Sequence, residues 1–196
     1  MYDEFIKTGK KLQKEELIHS TSGNMSIKKG DVIYITRTGS TLSDLKFSDI
    51  LKVNLKDTKK DKGASVEVNV HRAIYNYNPE ISAIIHAHPV YSIVLSFENK
   101  FIKPIDIEGE YYLQEVPVIY WCKDTIGSEC VESNIPNLIS KHKIVIVRGH
   151  GAFSSGKTLE EAFCYLSVLE SSCKIIYLRN LFTKSPPFSK GDLGGF

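Results

Sequence analysis

Two histidines separated by a single residue are the sharpest chemical signal in this 196-residue sequence. His86 and His88 end an apolar run that predicts a strand over residues 81–88. Because strand side chains alternate between faces, residues two apart point the same way, with Cα atoms roughly 7 Å apart. Two imidazoles at that spacing can bind one metal ion, or they can be two strand histidines that bond to neighbouring groups.

A third histidine strengthens the metal interpretation. His150 follows a predicted strand over residues 143–148 and lies between Gly149 and Gly151, whose small size leaves the ring accessible. Three imidazoles at strand ends are typical of a metal site that keeps one open coordination position. The remaining histidines are interpreted as surface or packing residues: His19, His71 and His142.

Glu67 is the candidate acid or base. It opens a predicted helix over residues 67–77, with His71 one turn further on the same face. A carboxylate at a helix N-terminus is a favourable capping charge. Beside a metal, the same carboxylate could take a proton from a carbon next to a carbonyl group. Both interpretations stay open at the level of the sequence.

A set of small residues in turns and at a helix start forms a candidate anion site. Backbone amides in such turns are expected to be free, and they can form a nest suited to a phosphate group. Each of these residues is ordinary by itself, and only the set suggests a function. The set comprises Gly23, Asn24, Thr38, Gly39 and Ser65.

The elements that must position these residues alternate between helix and strand, without a regular βαβ rhythm. Apolar spacing predicts helices over residues 2–18 and 67–77, and Thr158 with Glu161 predicts a capping box that opens a helix to about Leu178. The strands named above lie between these helices. The pattern predicts a three-layer α/β or α+β domain.

Composition narrows the class of protein. Lysine and arginine number 25 and aspartate and glutamate 23, so the net charge of +2 argues against nucleic acid or an anionic membrane as a partner. Hydrophobic residues make up 42% and charged residues 24%, which excludes wholesale disorder. Four cysteines without a CxxC pair fit free thiols in a reducing cytoplasm. We expect one domain over residues 1–183 and a flexible tail over 184–196.

Five short motifs, in their order and spacing, resemble those of the class II aldolase/adducin family. The agreement extends from about residue 3 to residue 180. The motifs are Ser22-Gly23-Asn24-Met25-Ser26, Ile35-Thr36-Arg37-Thr38-Gly39, Ser65-Val66-Glu67 with His71, His86-Ala87-His88-Pro89 and Arg148-Gly149-His150-Gly151.

The resemblance implies a mixed, mostly antiparallel sheet flanked by helices, and one zinc ion per subunit. It also implies that Glu67 is the acid or base and can ligate the resting metal. The implied metal ligands are His86, His88, His150 and Glu67, and the implied phosphate ligands are Gly23, Asn24, Thr38, Gly39 and Ser65. A homotetramer with active sites between neighbouring subunits is implied as well.

The reaction implied by the resemblance is reversible cleavage of a ketose 1-phosphate, such as L-fuculose 1-phosphate, to dihydroxyacetone phosphate and a small aldehyde. Methylthioribulose-1-phosphate dehydratase is the main alternative, and a sugar-phosphate decarboxylase is another. A pentulose-phosphate 4-epimerase is disfavoured, because those enzymes place Asp at the position of Glu67. A non-catalytic scaffold of the adducin type is the alternative from a different class.

Two departures from the family's aldolases concern the substrate. Those enzymes have two serines before the glutamate, whereas this chain has Ser65 and then Val66. They also carry a tyrosine at the position of Lys123, where it is thought to protonate the leaving aldehyde oxygen. Tyr120 or Trp121 are the neighbouring aromatic candidates for that role. The phosphorylated-sugar class therefore transfers to this chain more securely than L-fuculose does.

Overall fold

A computed structural model describes residues 1–57, 61–120 and 129–184 of the chain. The strands are β1 (Asn24–Lys29), β2 (Val32–Thr36), β3 (Ile50–Asn54), β4 (Ala83–Ala87), β5 (Phe101–Ile102), β6 (Val116–Ile119), β7 (Ile144–Val147) and β8 (Gly151–Gly156). The helices are α1 (Tyr2–Lys14), α2 (Val68–Tyr77), α3 (Val90–Ser96), α4 (Ile107–Tyr112), α5 (Glu129–Ile139) and α6 (Leu159–Lys184).

All eight strands join one sheet, in the order β3-β2-β1-β4-β8-β7-β6-β5. Neighbouring strands are antiparallel except for the β6–β7 pair, which is parallel. The fold class is therefore confirmed as a mixed, mostly antiparallel sheet. Strand β4 lies between β1 and β8, near the middle of the sheet, and it carries His86.

Helices cover both faces of this sheet and make three layers. In β4, Ala83, Ile85 and Ala87 belong to one buried core together with residues of α1 and α6. Ile84 belongs to a second core, on the other face, with residues of α2 and α5. Strand alternation therefore directs His86 toward the α2 side of the sheet, where it is buried.

The first helix ends earlier than its apolar pattern predicts. It stops at Lys14 instead of residue 18, and Glu16 takes a positive φ of 58° that turns the chain out of the helix. Leu17 is still buried, and its carbonyl accepts the backbone N–H of His88 at 2.8 Å. The apolar residue at 17 therefore supports the end of β4 and does not extend α1.

The start of α6 also differs in detail from the predicted capping box. The Glu161 N–H donates to Thr158 Oγ1 at 3.1 Å, as the box requires. The Glu161 carboxylate, however, accepts the backbone N–H of Lys157 at 2.7 Å instead of that of Thr158. The helix continues past the predicted end to Lys184, and the rest of the predicted tail lies outside the described residues.

None of the described helices is long and apolar enough to cross a membrane.

Candidate metal centre and active site

The three histidines singled out in the sequence meet at one point. His86 lies on β4, His88 just beyond its end, and His150 in the turn that joins β7 to β8. One ring nitrogen of each lies within 4.8 Å of the other two. The ring centroids are separated by 4.8 to 4.9 Å. Three imidazoles at this separation can bind one metal ion.

The tautomer of His86 is fixed by a backbone group. Its Nδ1 lies 3.1 Å from the carbonyl oxygen of Ala152, which requires Nδ1 to carry the hydrogen. The lone pair is then on Nε2, which lies 2.9 Å from Nε2 of His88. In metal-binding histidines, the ring nitrogen that does not bind the metal typically donates such a hydrogen bond, which orients the ring.

Burial keeps the three imidazoles neutral. Desolvation lowers the pKa of His86 well below its ordinary value, and the nearby rings of His88 and His150 lower it further. Desolvation also lowers the pKa of His88 to about 4, with smaller contributions from His150 and His19. The pKa of His150 is lowered for the same first reason. Neutral imidazole is the form that binds metal, so these residues fit a resident metal ion.

Glu67 stands beside this cluster. Its Oε2 lies 3.5 Å from Nε2 of His86 and accepts a hydrogen bond from Nδ2 of Asn24 at 2.6 Å. Burial raises the pKa of Glu67 to about 7, and the Asn24 hydrogen bond opposes that shift. Glu67 is the N-cap residue of α2, but its side chain makes no capping hydrogen bond. The carboxylate instead faces the histidines.

Two glycines allow the backbone to approach the cluster closely. Gly151 lies where a Cβ would stand 2.5 Å from the carbonyl oxygen of Ala87 and 2.7 Å from Cδ2 of His88. Gly23 has a φ of +80°, and a Cβ there would lie 2.7 Å from the carbonyl oxygen of His86. Both positions therefore require glycine for the strand ends to meet.

A cleft of about 160 Å³ opens from the three histidines to the surface. Every residue predicted from the sequence for metal, base or phosphate lines this cleft: Gly23, Asn24, Thr38, Gly39, Ser65, Glu67, His86, His88 and His150. The turn 37–39 and the residues that precede α2 line the same cleft as the histidines. The structure thus brings together elements that lie far apart in the sequence.

The predicted nest of free amides is only partly present. The N–H of Thr38 donates to the carbonyl of Gly63, and the N–H of Ser65 donates to the carbonyl of Thr36. Ser65 Oγ accepts the N–H of Glu67 at 3.3 Å. These two N–H groups therefore bond to other parts of the backbone and are not available to an anion. The sequence pattern does not show which N–H groups are already bonded in this way.

Two residues near the site were not singled out as functional in the sequence. Arg37 lines the cleft, and its guanidinium donates to the carbonyl of Ser48 at 3.1 Å. The exposed ring of His19 lies 5.9 Å from that of His88, edge to face. Arg37 could have been found from its place inside one of the five motifs. Nothing in the sequence relates His19 to His88.

Two further residues discussed in the sequence, His71 and Tyr120, are described by the structure. His71 is fully buried in a packing position, as expected, and burial lowers its pKa to about 3. Tyr120 is 57% exposed, and the Arg148 guanidinium lies 4.8 Å from its ring centroid. Trp121 and Lys123 lie outside the described residues.

The fold and the site together define a metal-dependent lyase of the class II aldolase type. The family model for the Class II Aldolase and Adducin N-terminal domain matches residues 3–177, and the chain belongs to that family. The resemblance noted in the sequence is confirmed.

Individual relatives agree with this assignment. An L-fuculose phosphate aldolase of Methanocaldococcus jannaschii is 32% identical over 181 residues, which cover 92% of this chain and 98% of that protein. The crystal structure of an L-fuculose-1-phosphate aldolase from Thermus thermophilus has a TM-score of 0.91 at 33% identity, covering 96% of this chain and 98% of that one. A methylthioribulose-1-phosphate dehydratase of Pseudoalteromonas translucida is 28% identical, covering 90% of each chain.

Metal binding can be tested on the histidines themselves. A ligand that binds only the folded state stabilises it by mass action, by about 2.7 kcal/mol at 100 times the Kd. We expect zinc to raise the melting temperature of the metal-free protein and His88→Ala to abolish both that rise and stoichiometric metal in elemental analysis. His142→Ala is the matched control and should behave like the wild type. Stoichiometric zinc in the His88→Ala protein would remove His88 from the ligand set.

Gly151 offers a test of the backbone approach. In Gly151→Ala the new Cβ must displace His88 or the end of β4, so we expect metal affinity to fall by roughly 10- to 100-fold, as for other disturbances behind a ligand. Gly156→Ala, on the same strand, meets Glu161 Cβ at 3.0 Å and should keep the wild-type affinity. Calorimetric zinc titration of both variants compares the two, and equal affinities would contradict the argument.

Proposed function

We propose that this chain is a zinc-dependent aldolase that reversibly cleaves a ketose 1-phosphate to dihydroxyacetone phosphate and a small aldehyde. The supporting observation is the buried Glu67 carboxylate, 3.5 Å from Nε2 of His86, at the floor of a cleft lined with small polar residues. A base in that position would serve a carbonyl compound bound beside the histidines, because it could take the proton from the neighbouring carbon. The M. jannaschii relative, named an L-fuculose phosphate aldolase, supports the same reaction class.

Zinc is the metal we propose, with one ion in each subunit. Three neutral imidazoles and a carboxylate suit zinc, and three of these ligands with one exchangeable position are usual for catalytic zinc. His86, His88 and His150 would hold the ion, and Glu67 would be its additional ligand in the resting enzyme. When bound, zinc supplies a Lewis acid that polarises the substrate carbonyl.

Glu67 is the proposed proton carrier. In cleavage, the C4 hydroxyl gives its proton to water and its oxygen becomes the aldehyde carbonyl. The C3–C4 bond breaks with its electron pair left on C3, and Glu67 delivers a proton to that carbon. In synthesis, Glu67 removes the same proton. Burial raises the pKa of Glu67, and a raised pKa helps a carboxylate to hold the proton that it removes. The Asn24 hydrogen bond at 2.6 Å holds Oε2 in place.

The substrate phosphate is proposed to occupy the outer part of the cleft. Hydroxyl groups of Thr38 and Ser65 are available to donate to an anion there, and Gly39 lets a bulky group approach the turn. Gly23 and Asn24 close the inner side of the same cleft. The guanidinium of Arg37, which also lines the cleft, adds a permanent positive charge that favours an anion.

A dehydratase acting on methylthioribulose 1-phosphate is the second candidate. It is favoured by Val66, which is 62% exposed at the cleft and stands where the family's aldolases have a second serine. The P. translucida dehydratase is similar over nearly the whole chain. Elimination of water would use the same metal and the same base, since it also begins with loss of a proton next to a carbonyl.

We further propose that residues 1–183 form one domain that assembles into a homotetramer in the cytoplasm, with active sites between subunits. The support for assembly is an exposed apolar surface on α3 and the end of α6, formed by Val94, Phe97, Leu178, Leu181 and Phe182. Exposed patches of this kind are typical of protein interfaces. Free thiols at Cys164 and Cys173 support a reducing compartment.

Glu67→Gln tests the proposed base. The amide has nearly the same shape but takes no proton, so we expect kcat to fall by ~10²-fold or more while zinc stays bound. Glu80→Gln, which alters an exposed acid just past the end of α2, is the control and should turn over normally. A normal rate in the Glu67→Gln protein would show that another group is the base.

Proton exchange tests the reaction without knowledge of the aldehyde. The zinc-loaded protein is incubated with dihydroxyacetone phosphate in deuterated water, and the C3 protons are followed by NMR. We expect stereospecific loss of one proton, abolished by a chelator. Absence of exchange with zinc bound would reject the aldolase in favour of the dehydratase, whose loss of water is then measured directly with its own substrate.

Assembly is tested by light scattering coupled to gel filtration. We expect a particle of four times the 22.1 kDa chain mass, because the apolar surface on α3 and α6 would be covered by other copies. Leu181→Glu should shift the particle toward the monomer. A wild-type protein that is monomeric at micromolar concentration would overturn the proposal.

A further inference from the structure

Behind Glu67, helix α2 and strand β1 are joined by a second, fully buried set of hydrogen bonds. Ser26 Oγ lies 2.6 Å from Nδ1 of His71 and 2.7 Å from Oη of Tyr75. Oη of Tyr75 also donates to the Ser26 carbonyl at 3.1 Å. All three side chains are at most 1% exposed. The proposed chemistry uses none of them.

This set repeats the Asn24–Glu67 contact one step further along both elements. Asn24 and Ser26 are two residues apart on β1, a distance of roughly 7 Å along the strand. Glu67 and His71 are four residues apart along the helix, roughly 6 Å. The two spacings nearly match, so one placement of α2 on β1 forms both contacts at 2.6 Å. A rotation of the helix that broke the inner contact would also move the Glu67 carboxylate.

The hydrogens in this set have one arrangement that uses all of them. If His71 Nδ1–H donates to Ser26 Oγ, then Ser26 O–H donates to Tyr75 Oη and Tyr75 O–H donates to the Ser26 carbonyl. The reverse tautomer would leave a hydrogen on His71 Nε2, which is buried and has no hydrogen-bond partner among the described residues. Orphaned buried N–H groups are rare, whereas a bare lone pair is tolerated better.

His71 is also part of the packing behind the metal ligands. The ring of His71 contacts that of Phe153 edge to face, with centroids 6.1 Å apart. Phe153 is in turn stacked on the ring of His86, with centroids 4.2 Å apart. The ring of His71 therefore has a fixed plane as well as a fixed hydrogen bond. A substitution at 71 can therefore change the packing on Phe153 as well as the hydrogen bond.

We propose that His71, in its Nδ1-protonated tautomer, is a positioning residue that acts through Ser26 and Tyr75 to hold the Glu67 carboxylate on Asn24 and beside His86. The proposal rests on the proposed role of Glu67 as the base. It assigns His71 no contact with substrate or metal. Its effect is therefore on kcat, because misplacing a base by about 1 Å can cost as much as 10²-fold in rate.

Two amide variants, which both lack the ring, separate the hydrogen bond from the packing. Asparagine at 71 carries an N–H at about the position of Nδ1, whereas glutamine carries its amide near the position of Nε2. We expect His71→Asn to stay within about 3-fold of the wild-type kcat, and His71→Gln and His71→Leu to lose roughly 10- to 100-fold, with KM and zinc content unchanged. Tyr75→Phe, which removes only the hydroxyl, should lie between these values.

A destabilised control excludes a merely structural role. Ile74→Val lies on the same helix, is fully buried and makes no polar side-chain contact, so it should lower the melting temperature and leave kcat unchanged. If His71→Leu lowered the melting temperature and kept kcat as Ile74→Val does, the positioning role would be overturned. An asparagine variant as slow as the leucine variant would overturn it too.

NMR decides the proposal independently of activity. The ¹⁵N signals of the His71 ring should be those of an Nδ1-protonated imidazole, and an Nε2-protonated ring would reject the tautomer. The Asn24 side-chain NH₂ signal should keep its hydrogen-bonded shift in His71→Asn and lose it in His71→Leu. If the wild type were inactive as an aldolase, the proposed reaction would be rejected and the positioning role would not. The positioning role is rejected if the Asn24 signal in His71→Leu is the same as in the wild type.

Discussion

The burial of a carboxylate among neutral imidazoles is the constraint on which the rest of this structure depends. Glu67 has almost no exposed surface, and desolvation brings its pKa to about 7. Taking such a group out of water is costly unless it is hydrogen-bonded or paired. The hydrogen bond from Asn24 supplies part of that compensation, and both this bond and the approach of Glu67 to His86 depend on the register between β1 and β4. In that register Asn24 is directly opposite His86.

The local part of the site could be predicted from the sequence because it follows from strand geometry. Alternation on β4 places His86 and His88 on the same side, and the glycines around His150 allow the β7–β8 turn to bring the third ring to them. The three-layer arrangement follows from the same periodicities. The other residues that line the cleft, including Ser65, could be predicted from the order of the motifs.

What could not be predicted depends on contacts between distant segments. The Ser26–His71 hydrogen bond joins residues 45 apart in the sequence, and no spacing within α2 indicates its partner. The N–H groups of Thr38 and Ser65 are consumed by carbonyls of a neighbouring segment, which turn chemistry alone does not show. Helix α1 ends before its apolar pattern does, because Leu17 packs under β4 after the chain has left the helix. In each case tertiary packing overrides a valid local rule.

The two walls of the cleft differ in how freely they can diverge. The metal side comes from strand ends in the middle of the sheet, where β4 is paired on both sides and fully buried. The other side comes from the turn 37–39 and from Val66, which are exposed and only lightly packed. Substitutions at Thr38 and Val66 on that outer wall cost little folding stability, whereas substitutions on the inner wall cost more. The outer wall can therefore change which ligands the cleft admits while the buried histidine wall stays the same, which makes the outer wall the natural starting point for engineering new specificity.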